Sequence, residues 1–160
     1  MVYGTTYNDG SLICCAVDKG LIRIDLKDNS ITPVVRCSLS YWSYITTNGN
    51  NIYYTNDKTD RVTCCDMNGK VEWEFHDKKV LLSPRGITID SSNNIYVVGG
   101  GSENVVVISP DGQNYKLFLS DRDGGNLPWG ICCDRTGNQL LLIDREDDTG
   151  LLYDISTTLT

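Results

Sequence analysis

Ser83-Pro84-Arg85-Gly86-Ile87-Thr88-Ile89-Asp90-Ser91-Ser92-Asn93-Asn94-Ile95-Tyr96-Val97-Val98 is the stretch whose reading decides the fold. It reads as a strand, a tight polar turn and a second strand, because β-branched and aromatic residues flank a Ser/Asn cluster that does not suit a helix. The same pattern recurs three more times. Gly86 falls on Gly4, Tyr44 and Gly130, and Asp90, four residues on, falls on Asn8, Asn48 and Asp134. The steps between the first-named positions are 40, 42 and 44 residues, so the chain is a repeat.

Working outward, each polar turn is followed by an apolar run: Leu12 to Cys15, Ile52 to Thr55, Ile95 to Val98 and Leu140 to Ile143. A third strand is predicted over Leu21 to Leu26, Arg61 to Cys65, Asn104 to Ser109 and Leu151 to Ile155. Hairpin turns such as Asp66-Met67-Asn68-Gly69 and Ser109-Pro110-Asp111-Gly112 then lead to a fourth, over Ile31 to Val35, Lys70 to Phe75 and Tyr115 to Leu119. A four-stranded antiparallel unit of this size cannot bury both of its faces alone and stacks on its neighbours around an axis, which is the logic of a propeller blade. The expectation is an all-β, single-domain β-propeller with blades near 2–36, 41–77, 83–120 and 127–158. The last 5 residues, Ser156-Thr157-Thr158-Leu159-Thr160, offer only a weak outer strand to the fourth blade.

With 160 residues and 40% hydrophobic content the chain can bury a core without covalent staples. No apolar run approaches the roughly 20 residues of a membrane helix, Met1 runs straight into the first blade, and there is no Asn-x-Ser/Thr sequon. These features point to the cytosol and away from a membrane. Of the seven cysteines six are neighbours, Cys14-Cys15, Cys64-Cys65 and Cys132-Cys133. Adjacent strand residues point to opposite faces, so such a pair does not readily form a bond or grip one metal, and reduced core thiols are expected. The net charge of −7 opposes a surface built for phosphates.

Pro84-Arg85-Gly86-Ile87-Thr88-Ile89-Asp90 with Asn94-Ile95-Tyr96-Val97, and Pro128-Trp129-Gly130-Ile131-Cys132-Cys133-Asp134 with Gly137-Asn138-Gln139-Leu140, resemble NHL repeats. The chain as a whole is similar to the C-terminal propeller of TRIM-like proteins of the kind expanded in bivalve molluscs. The first two units depart from the pattern: neither has the Pro, and Tyr44 stands in the Gly slot. The resemblance implies a ring of six blades of which four are written here, hence a C-terminal portion. It also implies RNA-hairpin recognition or protein docking in a protein whose RING supplies ubiquitin ligase activity. No Cys-x-x-Cys spacing is present here to build a RING. In the repeat itself Gly permits close approach of backbones near the axis, and the Asp/Asn accepts bonds from turn amides.

In an up-and-down blade, the connection into the inner strand and the loop between the second and third strands lie on one face. That face gathers Tyr3, Ser43, Arg85 and Trp129, one per blade just before the Gly slot, with Lys58 of Asp57-Lys58-Thr59-Asp60 and Arg145 of Arg145-Glu146-Asp147-Asp148. Exposed Trp, Tyr and Arg are the side chains that supply binding hot spots, so these six are the candidate binding residues. The structural alternative is Trp129 packed between blades and Arg85 as a solvated charge. Acids outnumber bases on these loops, which favours a protein partner over RNA, although Arg85, Arg61 and Lys78-Lys79 could form a local basic patch.

Catalysis is not expected. Propeller lyases and lactonases rely on His or on carboxylates around a metal, whereas the sole histidine, His76, follows an outer strand. Asp121-Arg122-Asp123-Gly124-Gly125-Asn126 is out of register with the twelve-residue calcium loop, and Gly99-Gly100-Gly101-Ser102 lacks the Lys of a phosphate loop, so no metal or cofactor is expected. Ile52-Tyr53-Tyr54-Thr55-Asn56-Asp57 is similar, once only, to the Tyr-Trp-Thr-Asp repeats of extracellular receptor propellers. The reading is a non-catalytic, cytoplasmic protein-interaction propeller whose open blade faces, if the ring is not closed, favour self-association.

Overall fold

The computed structural model describes residues 1–120, 128–134, 136, 138–144 and 149–155. The first sheet is β1 (Val2–Asn8), β2 (Ser11–Ala16), β3 (Gly20–Asp25) and β4 (Ile31–Val35). The second is β5 (Ile45–Thr47), β6 (Asn51–Asn56), β7 (Arg61–Asp66) and β8 (Val71–Phe75). The third is β9 (Pro84–Ile89), β10 (Ile95–Gly99), β11 (Asn104–Ile108) and β12 (Tyr115–Leu119). The fourth contains β13 (Pro128–Asp134), β14 (Gln139–Asp144) and β15 (Gly150–Asp154). Every sheet is an antiparallel meander in sequence order. The outer strand foreseen beyond residue 155 lies outside the described residues, and among those described no helix is long and apolar enough to cross a membrane.

Local chemistry explains the meanders. Asp9 and Gly10, both at positive φ (40° and 74°), make the two-residue turn that matches strand twist between β1 and β2. At the corresponding turn of the third blade Asp90 is buried. Its Oδ1 accepts the amides of Ser92 and Asn94, each at 2.8 Å, and its Oδ2 accepts Asn94 Nδ2 at 2.8 Å and Tyr96 Oη at 3.3 Å. Asn48 does the same for Asn50 and Asn51 and reaches Asn93 of the next blade at 3.0 Å. Asn48 and Asp90 are therefore turn caps, as the pattern implied, and Asp134 likewise accepts the Thr136 amide at 2.9 Å.

Packing between blades follows the period of two. Successive side chains of each second strand point alternately to the blade before and the blade after. Ile52 and Tyr54 look back to meet Ile13, Cys15 and Leu21 of the first blade. Tyr53 looks forward to Ile95 and Val97, and Tyr96 and Val98 look forward to Leu140 and Leu142. Each fully buried aliphatic contributes roughly 1.5–3 kcal/mol, so the interfaces between sheets hold the assembly together. The contacts run β1 on β5, β5 and β6 on β9, and β9 and β10 on β13; among the described residues no comparable contact joins the fourth blade to the first. The four blades follow one another around a common axis as a β-propeller.

All seven cysteines are free thiols. Cys14, Cys15, Cys64 and Cys65 are core residues, as expected of adjacent thiols inside strands. Cys132 is not: it is exposed, on the same face of the fourth blade as its exposed pairing partner Leu141. Burial pushes the Cys65 thiol up to about 12 and raises Cys64 and Cys37 as well.

Candidate functional site

The inner strands carry an irregularity at the same place in three blades. Register shifts occur between Val2 and Thr5, opposite Val97 to Gly99, and between Pro128 and Gly130, which places Tyr3, Arg85 and Trp129 at bulges. A bulge re-aims a side chain out of the ladder. Here it turns Arg85 and Trp129 towards one another at the mouth of the arc, where the Arg85 Cζ lies 4.6 Å from the centroid of the Trp129 ring.

The second blade completes the arrangement differently from the sequence reading. Its inner strand begins only at Ile45, and the preceding residues form a turn. Ser43 is completely buried and accepts the Ser40 amide at 3.2 Å, so it shapes this turn and presents nothing to a partner, which corrects its place among the binding residues. The turn presents Trp42 instead, whose amide donates to Ser40 Oγ at 3.0 Å while Ser40 Oγ donates to Asp57. The Trp42 ring lies 4.9 Å from the Arg85 Cζ and meets Trp129 edge-on at 4.9 Å. One guanidinium thus lies against two indoles contributed by the blades on either side of its own.

Arg85 is positioned from every side. Thr55, fully buried on β6, accepts the Tyr44 amide at 2.9 Å and donates to the Arg85 carbonyl at 2.9 Å, tying the second blade to the third. The Gly100 amide donates to Ser83 at 3.0 Å, and a Cβ at Gly100 would stand 2.5 Å from Arg85 Nε. The Gly99-Gly100-Gly101 turn is therefore a floor for this side chain. Ser83, at a positive φ of 47°, donates its amide to Asp60 at 2.8 Å, and Asp60 pairs with Lys78 at 3.1 Å. Burial works against the charge of Asp60, but the Ser83 amide and Lys78 outweigh it and hold the carboxyl below its ordinary value.

No acid is paired with Arg85 among the described residues. The ion pairs there are Arg61–Glu74 and Lys78–Asp60, and Arg85 Nε is buried without a hydrogen-bond partner. Tyr3, 40% exposed, packs edge-on against the exposed Tyr41 at 5.6 Å, extending the aromatic face onto the first blade. Lys58 is exposed and reaches the Leu39 carbonyl at 3.4 Å. Arg145 and the 121–126 loop lie outside the described residues. The aromatic-rich second unit signalled Trp42, yet a rule of one residue just before each Gly slot selects Ser43, and only the turn geometry shows which of the two neighbours comes forward. Among the described residues no group of His, Cys, Asp and Glu is placed to hold a metal ion.

Residues 80–104 match a family model described as a beta-propeller repeat. The fold is that of a β-propeller. No curated protein matches the sequence. Among solved structures, a chain of a nidogen/laminin complex superposes with a TM-score of 0.82 at 22% identity, over 97% of this chain and 61% of that one. A Bacteroides thetaiotaomicron protein of unknown function gives 0.77 at 16% identity over 96% and 47%. Virginiamycin B lyase from Staphylococcus aureus gives 0.69 at 17% identity over 98% and 56%. The propeller thus spans less than two thirds of the length of each of these chains.

Proposed function

We propose that this propeller is a non-catalytic protein-docking module of the NHL type, from a cytoplasmic TRIM-like protein, and that its partner binds the mouth face built by Tyr3, Trp42, Arg85 and Trp129. The observation that carries this reading is the Arg85 guanidinium held against two indoles with no acid paired to it among the described residues. A positioned Arg flanked by Trp is the composition of a hot spot, because the side chains lose little freedom when a partner arrives. The chemistry complementary to it is a carboxylate carried on an apolar segment, which would accept from the guanidinium while its stem packs on the indoles.

Two considerations weigh against the other classes. For RNA, the net charge of −7 and the acids Asp57, Asp60 and Glu103 on the neighbouring loops oppose phosphate. For a lyase, His76 lies in the connection after β8, close enough to Asp60 to favour its charged form, and not at the Arg85 cluster. A neighbour solved as a nidogen/laminin complex makes an extracellular docking propeller the second reading, supported by Tyr53-Tyr54-Thr55-Asn56-Asp57 and opposed by seven free thiols. The test is affinity capture from cytosolic lysate, with and without RNase, against an Arg85→Ala/Trp129→Ala double variant. Partners that survive RNase and are lost in the variant support protein docking on this face; loss on RNase treatment overturns it in favour of RNA.

A further inference from the structure

Two positions of the first blade break the repeat, and they meet in one groove. The first is Arg23 on β3. It pairs with Ile13 as Cys64 pairs with Tyr53, Val107 with Tyr96 and Leu152 with Leu141. The other three blades therefore carry an apolar residue at this place, and Cys64 and Val107 are completely buried against the blade that follows. Arg23 instead stands half-buried at the boundary with the second blade, where one nitrogen donates to the Met67 carbonyl. No acid pairs with it among the described residues.

The second position is Asn8. Its counterparts Asn48, Asp90 and Asp134 cap their turns through the side chain. In the first blade the Asp9-Gly10 turn closes in two residues, with the Gly10 amide on Tyr7 Oη at 3.1 Å, and the Asn8 side chain caps no amide. Its Oδ1 lies instead beside the second blade, 3.7 Å from where a Cβ at Gly49 would stand. Asn8, Asp9, Ser11 and Arg23 on one side and Gly49 and Met67 on the other line a groove of about 290 Å³, at the end of the blades opposite Arg85 and its indoles. Both of its walls belong to this chain. Among the described residues the side chains of Asn8, Asp9 and Ser11 make no hydrogen bond or ion pair, and Arg23 uses one of its five N–H donors.

A cleft in which unpaired polar groups converge is a place for a ligand, because each group there still lacks the partner that its neighbours in the fold have found. The lining also fixes the charge of what fits. Arg23 repels a simple cation, while Asp9 and the net charge of −7 on the chain repel a simple anion. An occupant carrying both signs meets neither penalty. The space equals that of about ten waters, so the occupant is small. We propose that this groove binds a free α-amino acid, its carboxylate held by Arg23 and its ammonium by Asp9 and Asn8 Oδ1. The Met67 carbonyl anchors the guanidinium, whose planar fork matches a carboxylate, and the flexible Met67 side chain packs on the aliphatic part. This site is separate from the docking face and does not rest on it.

Amide chemical-shift titration of the isotope-labelled chain with three matched probes tests this: L-alanine, propanoate, which lacks the ammonium, and ethylammonium, which lacks the carboxylate. L-Alanine is expected to shift the Asn8, Asp9, Ser11 and Gly49 amides saturably and to bind about 10- to 100-fold more tightly than either fragment. Arg23→Gln is expected to weaken L-alanine by a similar factor and to strengthen ethylammonium. Asp9→Asn is expected to weaken L-alanine and to strengthen propanoate, a reversal that general damage to the fold does not produce. The same spectra show whether each variant is folded. On the unmodified chain, an absence of saturable shifts with L-alanine, or a fragment that binds as well as L-alanine, overturns the proposal whether or not a variant folds. An unchanged affinity for L-alanine in either folded variant overturns it equally.

Discussion

Replacing Gly100 by Ala is expected to loosen Arg85 from the two indoles without substituting any of the three. The added methyl would stand 2.5 Å from Nε, 2.7 Å from Cδ and 2.8 Å from Cζ, so the side chain must shift by about 1 Å to reach ordinary contact. Arg85 Cζ now lies 4.9 Å and 4.6 Å from the two ring centroids, and a partly buried pair of such contacts is worth about 1–2 kcal/mol together. Gly100 is not at positive φ, so Ala also restricts the unfolded chain, a stabilisation of about 0.4–1 kcal/mol that partly masks the loss. A double-mutant cycle separates the two effects. In an Arg85→Ala background the methyl meets no guanidinium, and Gly100→Ala becomes neutral or mildly stabilising, which leaves a coupling of about 1–2 kcal/mol. Urea unfolding followed by tryptophan fluorescence reads the cycle directly, because Trp42 and Trp129 are two of the three indoles in the chain. A coupling below about 0.3 kcal/mol would show that the glycine floor does not position Arg85, and the account of the mouth face would fall with it.

Thr55→Val keeps the shape of a fully buried side chain while leaving the Tyr44 amide and the Arg85 carbonyl without their partner, so a loss of about 2–4 kcal/mol is expected. For a chain of this length that corresponds to a Tm lowered by about 4–16 °C in calorimetry, and an unchanged Tm would refute the bridge. Stability is also expected to fall at alkaline pH. Burial raises Cys65 from 9.0 and Tyr53 from 10.0, each to about 12, so both remain neutral in the fold while the unfolded chain ionises. Their contribution is fully present below about pH 9 and is lost as pH rises towards 12; a melting temperature that stays flat from pH 8 to 11 contradicts this. Finally, a thiol reagent at neutral pH is expected to modify Cys132 first and to leave Cys14, Cys15, Cys64 and Cys65 intact until the chain unfolds, as mass spectrometry of modified peptides would show.

The legible part of this protein is the part written in short range. Alternation of apolar and polar residues, Asp9-Gly10, the Asp90 cap and the returning Gly slot are all local, and the repeat reinforces these signals, so strands and turns could be read without coordinates. The same multiplication placed Arg85 and Trp129 on one face, because equal register in successive blades means equal distance from the axis. Ser43 was misplaced for a related reason. Its unit lacks both the Pro and the Gly that set the bulge elsewhere, and the turn before β5 rotates Trp42 into the position that register alone assigned to its neighbour.

Sequence alone determined that this chain is a stack of small antiparallel sheets, because hydrophobic period and turn chemistry act over a few residues and cannot be satisfied by another backbone. Tertiary structure alone decided that Arg85 lies against the indoles of the blades on both sides of it, that Gly100 serves as its floor, and that the first and last blades do not meet among the described residues. Those facts depend on the angle at which one sheet packs on the next, a sum over many side-chain contacts between residues about 40 positions apart, and no local pattern carries it.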